Sequence, residues 1–393
     1  MQATYDSILR LTHLTGLIPA WIGYAVLTFI VAIGVATLAA LVPIIMVWVE
    51  RKVSADIQDR IGPNRVGPYG LLQTIADAVK LLTKENITPA RADALLHLFG
   101  PALVFTGVYA PLVAVAWAKG FAVADLNVGV LYMLAITSLT VIGIIMAGWS
   151  SNNKWSLLGG MRGAAQIISY EIPNGLAVLT VIVLAGTLNM NELAQAQSGG
   201  VQTWFVFRSP FTLVAFFLYL TSSLAETNRV PFDIPEAESE LVSGYHTEYS
   251  GMRWALFMMS EYVEMLVVNA IAVTLFLGGW SGILPGTPLL GGWFWFLLKV
   301  AALMYVQVWL RFTLPRLRVD QLMYAGWKVL VPFGFVTMLG AAAQVLLGET
   351  GQRVMSAIAW LMFAAFVAMV VRRARATGHV PRRLSELSRR AAA

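Results

Sequence analysis

Between Ala225 and Leu266 the chain reads AETNRVPFDIPEAESELVSGYHTEYSGMRWALFMMSEYVEML, gathering Glu226, Asp233, Glu236, Glu238, Glu240, Glu248, Glu261 and Glu264. The chain as a whole is only 12% charged and 58% hydrophobic, so this concentration needs a cause. Carboxyl groups beside and inside an apolar run take up and release protons, and each one inserted into a membrane costs on the order of 3 kcal/mol. Glu261 follows Gly251 by ten positions, which on a helix rising about 1.5 Å per residue puts it about 15 Å in, near the middle of a bilayer. Glu264, at i+3, shares that face, and neighbouring carboxyls titrate as a coupled pair. Glu171, two residues before Pro173, is a further acid within an apolar run. The expected chemistry is proton relay, set against the plainer possibility of acids held by Ser, Tyr or water within a helix bundle.

The loop acids admit a second explanation. Asp233 to Glu236, with Pro235 between them, resembles a helix N-terminus, where carboxylates favour the positive end. If residues 236–241 are helical, Glu236 and Glu240 share a face and Glu238 points away. A solvated acidic loop remains the alternative. Other chemistries are poorly provided for. With no cysteine, the chain forms neither disulfides nor thiolate-held metal or iron–sulfur sites, so a redox centre would have to belong to a partner. His13, His97, His246 and His379 lack metal-ligand spacing, and no P-loop or glycine-rich nucleotide fingerprint occurs.

The elements that must hold these acids are membrane spans. Apolar runs near the required length of about 20 residues recur at 20–49, 95–118, 129–149, 164–188, 210–225, 252–279, 293–311, 327–347 and 354–371. The expectation is an all-α integral membrane protein with about nine transmembrane helices in one polytopic domain, 20–371. Asp6 and Arg10 precede an apolar stretch too long for a cleavable signal, so the first span is expected to stay. Placing loops 50–94 and 225–253 in the cytoplasm leaves only Arg10, Lys119, Arg208 and Arg353 on the other side, with Lys299 inside a span and expected to snorkel outward. The segment 1–19 is then non-cytoplasmic and the basic tail 372–393 cytoplasmic, orienting the chain against the lipid surface. The net charge of +6 reflects this retention and gives no support to nucleic-acid binding. After Pro68, Leu71, Leu72, Ile75, Val79 and Leu82 oppose Gln73, Asp77, Lys80 and Lys84 at helical spacing. That pattern predicts an amphipathic surface helix on the cytoplasmic side.

Five motifs occur in order: ERK at 50–52, RxGPNxVGPYGLLQxxADxxK from Arg60, SYEIP from Ser169, AETNRVPFDxPEAESELVxGYHTEYSGM from Ala225, and SEY at 260–262. Over residues 20 to 347 the chain resembles the H-subunit family of proton-pumping NADH:quinone oxidoreductases, respiratory complex I. The resemblance implies a cell inner-membrane protein at the heel of the membrane arm, binding quinone as substrate where peripheral iron–sulfur subunits dock, with neighbouring membrane pump subunits and lipid as its other partners. Flavin and iron–sulfur clusters would reside in partner subunits, and this chain would hold no metal and no covalently bound cofactor. It further implies that Arg51, Asp77, Arg65 and Tyr249 serve the quinone doorway and chamber. Glu171, Glu226, Glu236, Glu238, Glu240, Glu248 and Glu261 would form the acidic route into the membrane. The ninth span, the basic tail and Glu264 are departures from the shared pattern. Two rival readings stand beside it, the membrane subunit of a related membrane-bound hydrogenase or ferredoxin-driven complex and a stand-alone secondary transporter. The full doorway motif disfavours the first. The second should show inverted repeats, and none is found.

Overall fold

The computed structural model describes residues 20–236, 238–282 and 292–347, with Val354, Ala357, Trp360 and Leu361. The segment 1–19, most of the expected ninth span and the basic tail lie outside the described residues. All regular structure among the described residues is helical. The elements are α1 (Ala20–Ile57), α2 (Gln73–Thr83), α3 (Ala94–Tyr109), α4 (Gly129–Thr137), α5 (Leu139–Ser150), α6 (Lys154–Ala185), α7 (Met190–Gln195), α8 (Pro210–Glu226), α9 (Gly251–Phe276), α10 (Gly292–Thr313), α11 (Val319–Tyr324) and α12 (Val331–Leu346). A π-helical stretch, Ala325–Leu330, joins α11 to α12, and α4 runs almost directly into α5. Seven helices are long and apolar enough to cross a membrane. Helix α8, with 17 residues, is short at about 25 Å. The expected count of nine is therefore not reached among the described residues, but the all-α membrane class holds.

Helices in lipid gain nothing from hiding apolar surface from one another, so close backbone approach must hold them together. Small residues supply it. A Cβ on Gly100 would meet Ala147, one on Gly160 would meet the backbone of Gly148, and one on Gly159 would lie 2.6 Å from Gly244, tying α3, α5, α6 and the loop before α9 into one block. Helix α9 runs through the centre. Nearly every residue from Ser260 to Phe276 is buried, against α1, α3, α8 and α10.

Pro173 inside α6 cannot bond the Ser169 carbonyl one turn back. The π-helical stretch packs at this point: Trp327 Nε1 donates to Ser169 Oγ at 3.1 Å, and Tyr170 Oη to the Leu322 carbonyl at 3.0 Å.

At the far end of α9 the backbone is sealed by two side chains. Gln197 Nε2 donates to the Leu193 and Thr274 carbonyls, and its Oε1 accepts from Phe205 and Gly278 N–H. Lys299 Nζ donates to the carbonyls of Leu277 at 2.6 Å, Gly279 at 3.1 Å and Ser281 at 2.7 Å, and sits over the Trp204 ring. The expected snorkelling of Lys299 is thus overturned. A cation at a helix C-terminus answers both the orphan carbonyls and the helix dipole, a stronger pull than the route to water.

Candidate functional site

The loop 50–94 begins where α1 ends. After the turns at Gly62 to Gly70, helix α2 starts at Gln73, and its polar residues turn back onto α1: Arg51 Nη1 bonds Asp77 Oδ2 at 2.7 Å, and Gln73 Nε2 bonds Asp77 Oδ1 at 3.3 Å. The predicted surface helix is present, with an orientation that its two-faced pattern left open. Leu71, Leu72, Ile75 and Val79 are exposed on the protein's outside, Leu82 is exposed at the cavity's edge, and Asp77 faces inward. Between α1, α2 and the start of α9 lies a cavity of about 430 Å³. Its walls are mostly apolar, with Arg51, Asp77, Thr74, Glu50 and Tyr262 as the polar points. Sites for small organic ligands have this size and composition.

Glu50 connects the cavity to a buried charge network. Arg229 Nη1 bonds Glu50 Oε2 at 3.2 Å, Arg311 Nη1 bonds Glu50 Oε1, and Tyr262 Oη donates to Glu50 Oε2 at 2.9 Å. Arg229 also lies over the Tyr262 ring at 4.3 Å and pairs with Glu261 at 3.6 Å. Two carboxylates and two guanidiniums this deep are tolerable because they neutralise each other.

From Arg229 inward the acids lie within electrostatic reach of one another in succession. Glu261 faces Glu236 from the loop, Glu264 is within electrostatic reach of Glu261 and Glu171, and Glu226 of Glu264 and Glu171. Asn174 Nδ2 donates to Glu226 Oε1 at 2.7 Å. Gln166 on α6 holds the loop in place, with Nε2 donating to the Ala225 and Phe232 carbonyls and to Asn228 Oδ1. Helix formation in that loop departs from expectation. The helical turn spans only Glu238–Leu241, so Asp233 to Glu236 do not cap it, and Glu236 and Glu240 do not share a face. Glu236 instead turns inward, 3.7 Å from His246 Nδ1, while Glu240 points out to bond Arg162 Nη1 at 2.7 Å. Gln166 and Arg316, whose Nη2 bonds the Asp233 carbonyl at 2.6 Å, hold Phe232 and Asp233 against the bundle ahead of that turn.

Burial pushes Asp233 up to about 6, opposed by Arg316. Burial likewise raises Glu236, against the hydrogen bond from Glu261, and lowers His246, against the charge of Glu261. The Arg162 hydrogen bond holds Glu240 below the usual carboxylate range. Asp233 and Glu236, displaced upward in this way, are suited to exchanging protons.

Of the residues expected from sequence, Arg51 and Asp77 meet at the cavity, and Glu171, Glu226, Glu236 and Glu261 join one line. Glu240 stands at the surface. Glu248 accepts from Asn153 Nδ2 at 2.6 Å, and Tyr249 stacks on His97 and meets Ser150 Oγ at 3.2 Å, both away from the cavity wall. Arg65 is exposed on the loop, and the side chain of Glu238 lies outside the described residues. Sequence reasoning missed Glu50, Arg229, Asp233, Tyr262 and Arg311. For Arg229 a signal existed, a lone basic residue inside the acidic TNRVPFD motif. For Glu50, a carboxylate ending an apolar span beside Arg51 was the available cue. Among the described residues no group of three His, Asp or Glu is placed to hold a metal ion.

Residues 29–342 match the family described as NADH dehydrogenase. Among curated relatives, the NADH-quinone oxidoreductase H subunit of Chlorobaculum parvum is 48% identical over 346 residues, covering 85% of this chain and 96% of that protein. The H subunits of Dehalococcoides mccartyi and Anaeromyxobacter dehalogenans are 49% and 47% identical, covering 77% and 78% of this chain and 83% and 79% of those proteins. A polytopic bundle with an acid line across it, matched to these relatives over most of its length, belongs to the NADH dehydrogenase family of NADH-quinone oxidoreductase H subunits.

Proposed function

We propose that this chain forms the quinone doorway and the first part of the coupling route of a proton-translocating NADH:quinone oxidoreductase. The observation that carries the reading is Glu50, which lines the cavity and is also bonded to Arg229, the partner of Glu261. One residue thus belongs to both the cavity and the acid line.

Reduction of a quinone to a quinol takes two electrons and two protons. The electrons would come from NADH through flavin and iron–sulfur centres in peripheral subunits docked on the cytoplasmic side. This chain's residues would guide and sense the substrate. Arg51 and Asp77 orient the polar headgroup as it passes, and the apolar walls hold the tail. A change of charge or protonation beside Glu50 alters the balance between Glu50 and Glu261 for the shared Arg229. Glu261 then exchanges a proton with Glu236, Glu264 and, deeper, Glu226 and Glu171, toward neighbouring pump subunits. Glu238, Glu240 and Glu248 fit the proton-uptake mouth of this route, and Arg65 and Tyr249 the chamber's outer rim. The bias of basic residues toward one set of loops supports an N-terminus outside and a C-terminus in the cytoplasm, in the cell inner membrane.

The test is a set of single variants, Glu50→Gln, Arg51→Gln and Asp77→Asn, in the assembled complex. Each should lower NADH-driven quinone reduction about tenfold or more and leave NADH oxidation by ferricyanide unchanged. Equal loss of both activities in normally assembled enzyme would sink the doorway assignment. Full quinone reduction in all three would remove the cavity from the reaction.

A further inference from the structure

The cavity lies between α2 and the first turns of α9, so its width depends on whatever fixes the distance between them. On the α1 side, the link is the Arg51–Asp77 pair. That pair is partly exposed, and exposed ion pairs are weak.

The other side is built differently. Immediately after α2, the segment Glu85 to Thr88 is bound to the start of α9 by three hydrogen bonds. Ser250 Oγ donates to the Glu85 carbonyl at 3.1 Å and accepts from Ile87 N–H at 2.9 Å, and Arg253 Nη1 donates to Thr88 Oγ1 at 2.8 Å. Arg253 is itself fixed, because the same Nη1 lies 3.1 Å from His97 Nδ1 and that ring is stacked on Tyr249 with centroids 3.9 Å apart and planes 8° from parallel. Tyr249 is anchored in turn on Ser150 Oγ. Gly251 completes the joint with φ +58°, and a Cβ there would lie 2.6 Å from Asn86 Oδ1 and 2.9 Å from the Lys84 carbonyl. Only glycine allows this approach at this backbone angle. The residues flanking the joint, Leu81 and Leu82 on α2 and Met252, Trp254 and Ala255 on α9, are the cavity's own walls.

We propose that Ser250, Gly251 and Arg253, braced by His97 and Tyr249, form a clamp on the C-terminal end of α2 that sets the width of the cavity. None of the clamp residues lines the cavity, so they act as positioning residues. The functional part of this inference rests on the doorway reading above. The clamp itself does not.

The two parts separate experimentally in the intact complex. Thr88→Val and Ser250→Ala together remove the side-chain links and leave every wall residue in place. Hydrogen–deuterium exchange of the α2 amides should accelerate about tenfold in this double variant, with the amides of α3 unchanged. The KM for decylubiquinone should rise about fivefold while kcat changes less than about twofold, and ferricyanide reduction should be unaffected. Thr88→Ser keeps the hydroxyl and should behave as the parent in all these readouts. Unchanged exchange in α2 overturns the clamp. Accelerated exchange with an unaltered KM overturns the doorway reading while the clamp stands. A fall in kcat at constant KM overturns the claim that these residues act through cavity width.

Discussion

The two ends of α9 solve opposite problems with similar means. At its far end Lys299 and Gln197 donate to the carbonyls of Thr274, Leu277, Gly279 and Ser281, and among the described residues no acid pairs with the lysine. Toward its N-terminal end Arg229 is shared among Glu50, Glu261 and the Tyr262 ring, and its Nε and Nη2, like Glu261 Oε1, Glu236 Oε1 and His246 Nδ1, lack hydrogen-bond partners among the described residues. At the far end the charge is met by backbone carbonyls, while Trp204 Nε1, Trp280 Nε1 and Ser281 Oγ lack hydrogen-bond partners among the described residues. At the other end the unpartnered atoms belong to the charged groups themselves, so a change in one charge can be answered by the rest. The contrast teaches that buried charge by itself does not mark a relay; charge with unsettled partners does.

The comparison breaks most severely at Arg229. Arg229→Met leaves Glu50 and Glu261 buried without their shared cation, a loss on the order of 3–5 kcal/mol. The level of assembled complex in membranes should collapse, and adding Glu261→Gln should recover part of it. Normal assembly of the single variant would show that the network is not held by this charge.

At the other end, Lys299→Met strands the three carbonyls and should cost roughly 1–3 kcal/mol, read as faster thermal inactivation. Turnover per assembled complex should be unchanged. A variant with intact stability and reduced turnover would mean that the far end also takes part in the chemistry.

Glu261→Gln keeps the shape and removes the titratable proton. Its stability should stay within about 1 kcal/mol of the parent, yet quinone reduction and proton pumping, normalised to assembled enzyme, should fall nearly as far as in Glu261→Ala. Glu171→Gln should follow the same pattern. Full pumping in the Gln variants with failure only in the Ala variants would make these acids structural.

The smallest effect is expected at Asp233. The folded chain holds this proton more tightly than the unfolded chain, so its stabilising contribution is complete below pH 3.8 and is lost as the pH rises through about 6. Asp233→Asn should therefore flatten the decline in thermal stability of the complex between about pH 4 and 6. An unchanged pH profile would show that Asp233 is not protonated in that range.

The fold class and the acid line were largely legible because both rest on local signals. A run of apolar residues is a span wherever it occurs, and Glu261 inside such a run is anomalous on sequence alone. The pairing of Glu50 with Arg311 was not legible, because they meet across 261 positions of chain and the one local cue, a carboxylate ending an apolar span, names no partner. The orientation of α2 was hidden for a different reason. Its pattern specifies two faces, but which face meets protein depends on Arg51 of α1, and periodicity carries no information about a neighbour. The helix considered over 236–241 is present only as the turn Glu238–Leu241, while side chains distant in sequence, Gln166 and Arg316, hold the Phe232 and Asp233 carbonyls ahead of it.

The outward stripe of α2 and the turn before it bears on supply. With Leu71, Leu72, Ile75 and Val79 exposed on the protein's outside, on the doorway reading this helix rests in the acyl boundary and the adjoining cavity draws from the lipid phase. Encounter then becomes a search in two dimensions, governed by how strongly a molecule partitions into the leaflet. Diluting the membranes with extra phospholipid at constant total quinone should slow turnover, whereas diluting them with buffer should leave it nearly untouched.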